Sequence, residues 1–168
     1  MRKRLLRQAL FVCVELGPGP WLKPYAMLIQ ATGSLQIAAP SPGLHDISGK
    51  ISGWLDSQRI GDGLLTLFCA HTPASLLIQE NAASAARHDL ERFFERIAPE
   101  DPALYTHSDE GPDDMPAHIR SALTQCQLSV PVENGRMTLG SWQGIFLFEH
   151  RRDPPPRRIR LHLIGEAV

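Results

Sequence analysis

The residues best able to hold a cation or carry a proton are concentrated in Thr106 to His118, THSDEGPDDMPAH. Two imidazoles, His107 and His118, flank four carboxylates, Asp109, Glu110, Asp113 and Asp114. A helix starting near Asp114 would put Asp114 and His118 at i and i+4 on one face. There the carboxylate either shares a metal with the imidazole or holds it in one tautomer. Imidazole with carboxylate suits zinc, nickel or iron, whereas carboxylate and water with a phosphate-bearing substrate suit magnesium. The spacing permits a divalent-metal site, with zinc or magnesium as the expected ion, and does not choose between them. The spacing is not that of HExxH, and a solvated acidic loop ending in a helix cap is the competing account.

Other chemistry-bearing residues lie where elements end. His71 follows the apolar run LLTLFCA, Leu64 to Ala70, at the break His71-Thr72-Pro73. Glu80 and Asn81 close the next short strand, so one sheet could bring them near His71; their structural alternative is a turn capping the following helix. In Gly140-Ser141-Trp142-Gln143-Gly144 two glycines surround a Trp-Gln pair, which permits close backbone approach by a ligand or marks a bulge. Glu149 and His150 end the strand after it. Arg120, Arg136, Arg157, Arg158 and Arg160 make bidentate phosphate recognition available, although Arg158, Arg160 and His162 alternate with Ile159, Leu161 and Leu163 as the wet face of a strand would.

These residues need a scaffold of mixed type. Tyr25 to Ala38 alternates around Gly33-Ser34, which predicts a hairpin or a bulged strand. Asp46 can cap a helix carrying Ile47, Ile51, Trp54 and Leu55, with Gly61 at its C-cap. Ser75 to Gln79 is strand-like. Ser84 opens a helix with Ala86, Leu90, Phe93, Phe94 and Ile97 on one face, stopped by Pro99. Asp113 or Asp114 caps a third, short helix with Pro116 in its first turn and Ile119, Ala122 and Leu123 inward. Strands follow at Leu128 to Val132, Arg136 to Leu139, Trp142 to Glu149 and Ile159 to Ile164, the first two joined by an Asn134-Gly135 turn. Without βαβ alternation, this is an α+β domain with a largely antiparallel sheet.

At 168 residues, with 43% hydrophobic and 21% charged residues, the chain can bury a core without staples. A net charge of −1 removes the general electrostatic case for a nucleic-acid or membrane-surface partner. Cys13, Cys69 and Cys126 are odd in number and widely spaced, which reads as reduced thiols in a cytoplasmic protein. Residues 1–24 combine a basic start with a short apolar run broken by Glu15 and Gly17-Pro18-Gly19-Pro20, too short to span a membrane. They are expected to be an upstream extension, from a misplaced start or as a docking arm, with the working domain at 25–168.

Three blocks, HTPASLLIQENA, LERFFERIAPEDPALYTHSDEGPDDMPAHIRSAL and LSVPVENGRMTLGSWQGIFLFEHR, resemble in order and spacing the YjbQ-like proteins, small proteins often labelled secondary thiamine-phosphate synthase. The resemblance covers roughly Tyr25 to Ile164. It implies an α+β fold with a mixed, mostly antiparallel bifurcated sheet and two to three helices, assembled as a homotrimer. It also implies a transferase joining hydroxymethylpyrimidine pyrophosphate to thiazole phosphate with loss of pyrophosphate. Carried over by motif are His71, Glu80, Asn81 and Asp114 as catalytic residues, and His107 and His118 as metal ligands. Trp142, Gln143 and Glu149 are carried over as substrate-binding residues, with Arg120 beside them as a phosphate-binding arginine. A metal-binding trimer without that activity and a metal-assisted phosphate hydrolase would use the same residues. Two departures are visible: Pro73 stands where the family usually has Thr or Ser, removing a hydroxyl and an N–H beside His71, and Ser141 where it usually has Thr.

Overall fold

A computed structural model describes residues 27–168. The expected boundary at residues 24 and 25 lies outside the described residues. Among the described residues eight strands form two sheets in which every pairing is antiparallel. The larger contains β1 (Leu28–Ile37), β8 (Arg157–Ala167), β3 (Ile60–Cys69), β5 (Gln127–Glu133) and β6 (Arg136–Met137), in that spatial order. The smaller is β2 (Gly43–Asp46), β7 (Gln143–Glu149) and β4 (Ala74–Glu80). The described residues also form three α-helices: α1 (Ser48–Leu55), α2 (Ser84–Ile97) and α3 (Asp114–Leu123). This is the α+β class that the residue pattern required.

The core lies between the sheets. Leu65, Leu67 and Ile159 from the larger sheet meet Leu76, Ile145 and Leu147 from the smaller, with Ile51 and Leu55 of α1 closing one end. Phe146 and Phe148 point the other way, where Leu90 and Phe94 of α2 cover them. Fully burying a side chain the size of Phe146 contributes about 1.5–3 kcal/mol, so β7, apolar on both faces, anchors both layers. Helix α2 has the expected bounds but buries only part of the expected face, since Phe93 and Ile97 remain 46% and 44% exposed. The outer face of the larger sheet is uncovered among the described residues and carries exposed Leu64, Phe68 and Ile164.

Several local expectations are corrected. The first helix stops at Leu55, and Gly61 lies inside β3, beside a register shift, rather than at a C-cap. Asp46 still serves the helix start, its Oδ1 accepting from Ser48 N at 2.8 Å. Gly33 makes neither a turn nor a bulge: β1 runs unbroken with Gly33 opposite Leu161. The glycine makes room for an indole, because a Cβ there would stand 2.4 Å from Trp54 Nε1. Asn134 and Gly135 do form the tight turn, with φ of 51° and 74°. The largest correction is α3, whose buried face is Asp114, Pro116, Ala117 and Arg120, whereas Leu123 is 60% exposed.

Candidate metal centre and adjoining cleft

The inverted face of α3 is explained by charge. Gly111, at φ 111°, turns the chain into the helix, and Asp113 sits at the N-cap without capping it. Its Oδ2 accepts instead from Arg151 Nε at 3.2 Å and from Arg152 N at 2.9 Å. Arg151, just beyond β7, also bonds Asp114 Oδ1 through Nη1 and the Glu110 carbonyl through Nη2 at 2.7 Å. A carboxylate as buried as Asp114, 1% exposed, requires such a cation. One guanidinium thus ties the loop, the helix start and the strand end together.

Asp114 also gathers the two histidines. His107 Nε2 lies 2.7 Å from Asp114 Oδ2, and His118 Nε2 lies 3.7 Å from Oδ1. The imidazole rings are 5.7 Å apart, and one ligand atom from each of the three residues falls within 4.8 Å of the others. Oδ2 is buried yet receives no well-directed hydrogen bond despite the close imidazole, so a lone pair there is free for a cation. Two imidazoles and a carboxylate form a donor set suited to zinc, with further positions open. The residues present fit a divalent metal.

His118 also borders a cleft of about 810 Å³, lined with it by Phe68, His71, Thr72, Pro73 and Cys126. His71 sits at the break between β3 and β4, where the chain leaves one sheet for the other. Its Nε2 accepts the backbone N–H of Arg158 at 2.7 Å. A backbone N–H can only donate, so Nε2 bears the lone pair and the ring proton is on Nδ1. Burial, followed by the charge on Arg157, pushes the His71 pKa below its ordinary value and favours this neutral, donating form.

The remaining expected site residues are elsewhere. Glu80 and Asn81 are at the far end of β4, seven residues long, about 20 Å from the His71 end at strand rise. Glu80 pairs with Gln143 across the strands and shares a shallow pocket of about 410 Å³ with Trp142, which is 68% exposed. Asn81 N donates to Trp142 O at 2.9 Å, and Gln143 Oε1 accepts from Gly140 N at 2.9 Å, so both residues hold their own loop. Gly144 is explained by packing, since a Cβ would meet Asn81 Cβ at 3.1 Å.

Arg120 and Glu149, expected at the substrate, are committed to buried structural contacts. Arg120 is 7% exposed and donates through Nη2 to Ala98 O at 2.8 Å, joining α3 to the end of α2. Glu149 is fully buried; it accepts from Arg157 Nε at 2.6 Å and Nη2 at 2.8 Å, and from the backbone N–H groups of His150 and Arg151 at 3.0 Å. Beside it His150 Nε2 lies 3.0 Å from Ser75 Oγ, and burial with the charges of Arg120 and Arg157 lowers its pKa to about 3. Arg151, Arg157 and the Asp113 side chain were not singled out by sequence reasoning as parts of one network. Arg151 meets Asp114 from 37 residues away, with no spacing to announce it.

The fold and site define a small antiparallel α+β protein with a histidine-carboxylate cluster beside an open cleft. The chain belongs to the UPF0047 family of YjbQ-like proteins, whose family model matches residues 33–166. It is 48% identical over 133 residues to a UPF0047 protein of Synechocystis, covering 79% of this chain and 90% of that one. It is 46% identical to the UPF0047 protein YjbQ of Escherichia coli O157:H7, covering 79% and 96%. Among solved structures, a conserved hypothetical protein from Thermus thermophilus superposes with a TM-score of 0.68 at 32% identity, covering 77% of this chain and 97% of that one. A YbjQ-like protein of unknown function from Sulfolobus solfataricus shares the fold, with a TM-score of 0.71 at 20% identity and coverage of 84% and 100%.

Proposed function

We propose that this protein is a divalent-metal-dependent enzyme acting on a small phosphate-bearing substrate bound in the cleft between His71 and His118. The observation that carries this reading is the convergence of His107, Asp114 and His118 beside that cleft. When bound, the metal would supply positive charge to offset a departing phosphate or pyrophosphate. Asp114 lies beside both imidazoles, and Arg151 holds Asp114. His71, fixed with its proton on Nδ1, is a neutral donor for a substrate oxygen rather than a base. The specific reaction is the one implied by the sequence resemblance: transfer of the hydroxymethylpyrimidine group from its pyrophosphate to thiazole phosphate, releasing pyrophosphate. Such chemistry demands charge neutralisation and positioning more than proton transfer, which suits a site poor in general bases.

A homotrimer in the cytoplasm is part of the same proposal. The uncovered outer face of the larger sheet, with exposed Leu64, Phe68 and Ile164, supports an assembled form. No helix among the described residues is long and apolar enough to cross a membrane. The test is elemental analysis of the purified protein followed by a synthase assay with both precursors. Metal at about one per chain and metal-dependent release of pyrophosphate are expected. Metal without synthesis would leave a binding protein or a phosphate hydrolase, and no metal would overturn the centre itself.

A further inference from the structure

Two thiols not used by the proposed chemistry lie on the same cleft. Cys69 ends β3, and Cys126 immediately precedes β5. These strands pair antiparallel with Leu67 opposite Leu128 and Phe68 opposite Gln127, the last pair of the ladder, and one further step of the same register would set Cys69 opposite Cys126. A hydrogen bond of 2.8 Å from Cys69 N to Cys126 O carries the ladder through to that pair. Opposed residues at such a hydrogen-bonded position have Cα atoms about 5.5 Å apart and side chains on one face of the sheet. Disulfides span Cα separations of about 4.4–6.8 Å, a range that includes this ladder spacing. Both cysteines are free, Cys69 buried and Cys126 exposed, and both line the cleft.

We propose that Cys69 and Cys126 form a redox pair that a hydroperoxide closes to a cross-strand disulfide in the wall of the cleft beside His71 and His118. Burial pushes the Cys69 thiol up to about 11, which leaves exposed Cys126 to meet the oxidant first. The Cys126 thiolate attacks one peroxide oxygen, the O–O bond breaks, and the other oxygen leaves as water or an alcohol, giving Cys126 sulfenic acid. The Cys69 sulfur then attacks the Cys126 sulfur: the S–S bond forms, the S–O bond breaks, and hydroxide leaves with the Cys69 proton as water. Together the two thiols give up two electrons and two protons, and the hydroperoxide is reduced. The link would pin the chain just beyond α3, which carries His118, to the strand end that presents His71.

The test uses the full chain carrying Cys13→Ser, so that the third cysteine, outside the described residues, cannot compete. The protein is treated with hydrogen peroxide, remaining thiols are alkylated, and a non-reducing digest is mapped by mass spectrometry. Expected is one-to-one loss of both free thiols, with the two peptides joined within one chain and separated again by dithiothreitol. Cys126→Ser, a change at an exposed position, should abolish the link. Oxidation of Cys126 to sulfinic or sulfonic acid while Cys69 stays a free thiol would overturn the proposal, as would a link formed only between chains.

Discussion

Replacing Glu149 by alanine should be among the most destabilising single changes in this protein. Glu149 is 0% and Arg157 3% exposed, and the carboxylate satisfies two guanidinium N–H groups and two backbone N–H groups. Removing it leaves an uncompensated buried cation, for which the expected loss is about 3–5 kcal/mol. For a domain of this size each kcal/mol shifts the midpoint by about 2–4 °C, so Tm should fall by about 6–20 °C. Urea unfolding with a two-state fit would measure the loss, and an unchanged slope would show that the denatured state is not its source. Glu149→Met with Arg157→Met should recover part of the stability, because removing both charges removes the unpaired cation but leaves the His150 and Arg151 N–H groups without their acceptor. A single-variant loss below about 1 kcal/mol would refute the argument, as would a double variant no better than the single.

His118→Ala should remove bound zinc or cobalt, read by elemental analysis or the cobalt visible spectrum, while changing stability by less than about 1 kcal/mol, since the ring is 35% exposed. His107→Ala should act in the same direction, and Arg158→Ala, exposed on β8, is the control. His150 predicts a pH dependence: its folded pKa of about 3 lies below the ordinary 6.5, so the unfolded chain binds the proton first as pH falls. Its contribution is therefore whole above about pH 6.5 and is lost progressively toward about pH 3, at about 1.4 kcal/mol per pH unit. Urea midpoints from pH 7 to pH 5 should show the slope, and His150→Gln should flatten it. Gly33→Ala should lose about 1–3 kcal/mol and shift tryptophan emission, because the new Cβ would displace the Trp54 ring. Deleting residues 1–24 should leave a folded protein by circular dichroism.

What was legible in the sequence was local. The α2 bounds follow from periodicity and Pro99, and the Asn134-Gly135 turn from its demand for positive φ. Asp114 and His118 could be paired because i and i+4 is a helical distance. What escaped was set by contacts between distant segments. The face of α3 could not be read from its apolar residues, because Arg151 draws the acidic side inward. Glu80 and His71 both lie at strand ends, and a sequence shows that a strand has ends but not which end meets which cluster. Gly33 marked a close approach by Trp54, and nothing in its own neighbourhood distinguishes that from a turn. The arginines of β8 alternate as read, but Arg157 faces inward to Glu149, and strand parity alone does not name a buried partner.

Arg151 gives the centre a resident cation of its own. Metal-dependent small domains commonly unfold when chelated, because their ligands repel or hang unpaired once the ion is gone. Here a guanidinium already pairs with both Asp114 and Asp113 and fastens the loop that carries His107 to the end of β7. If the cluster takes a divalent metal, as proposed, folding is thereby separated from loading, because the ion would meet ligands whose acidic member is already held in place.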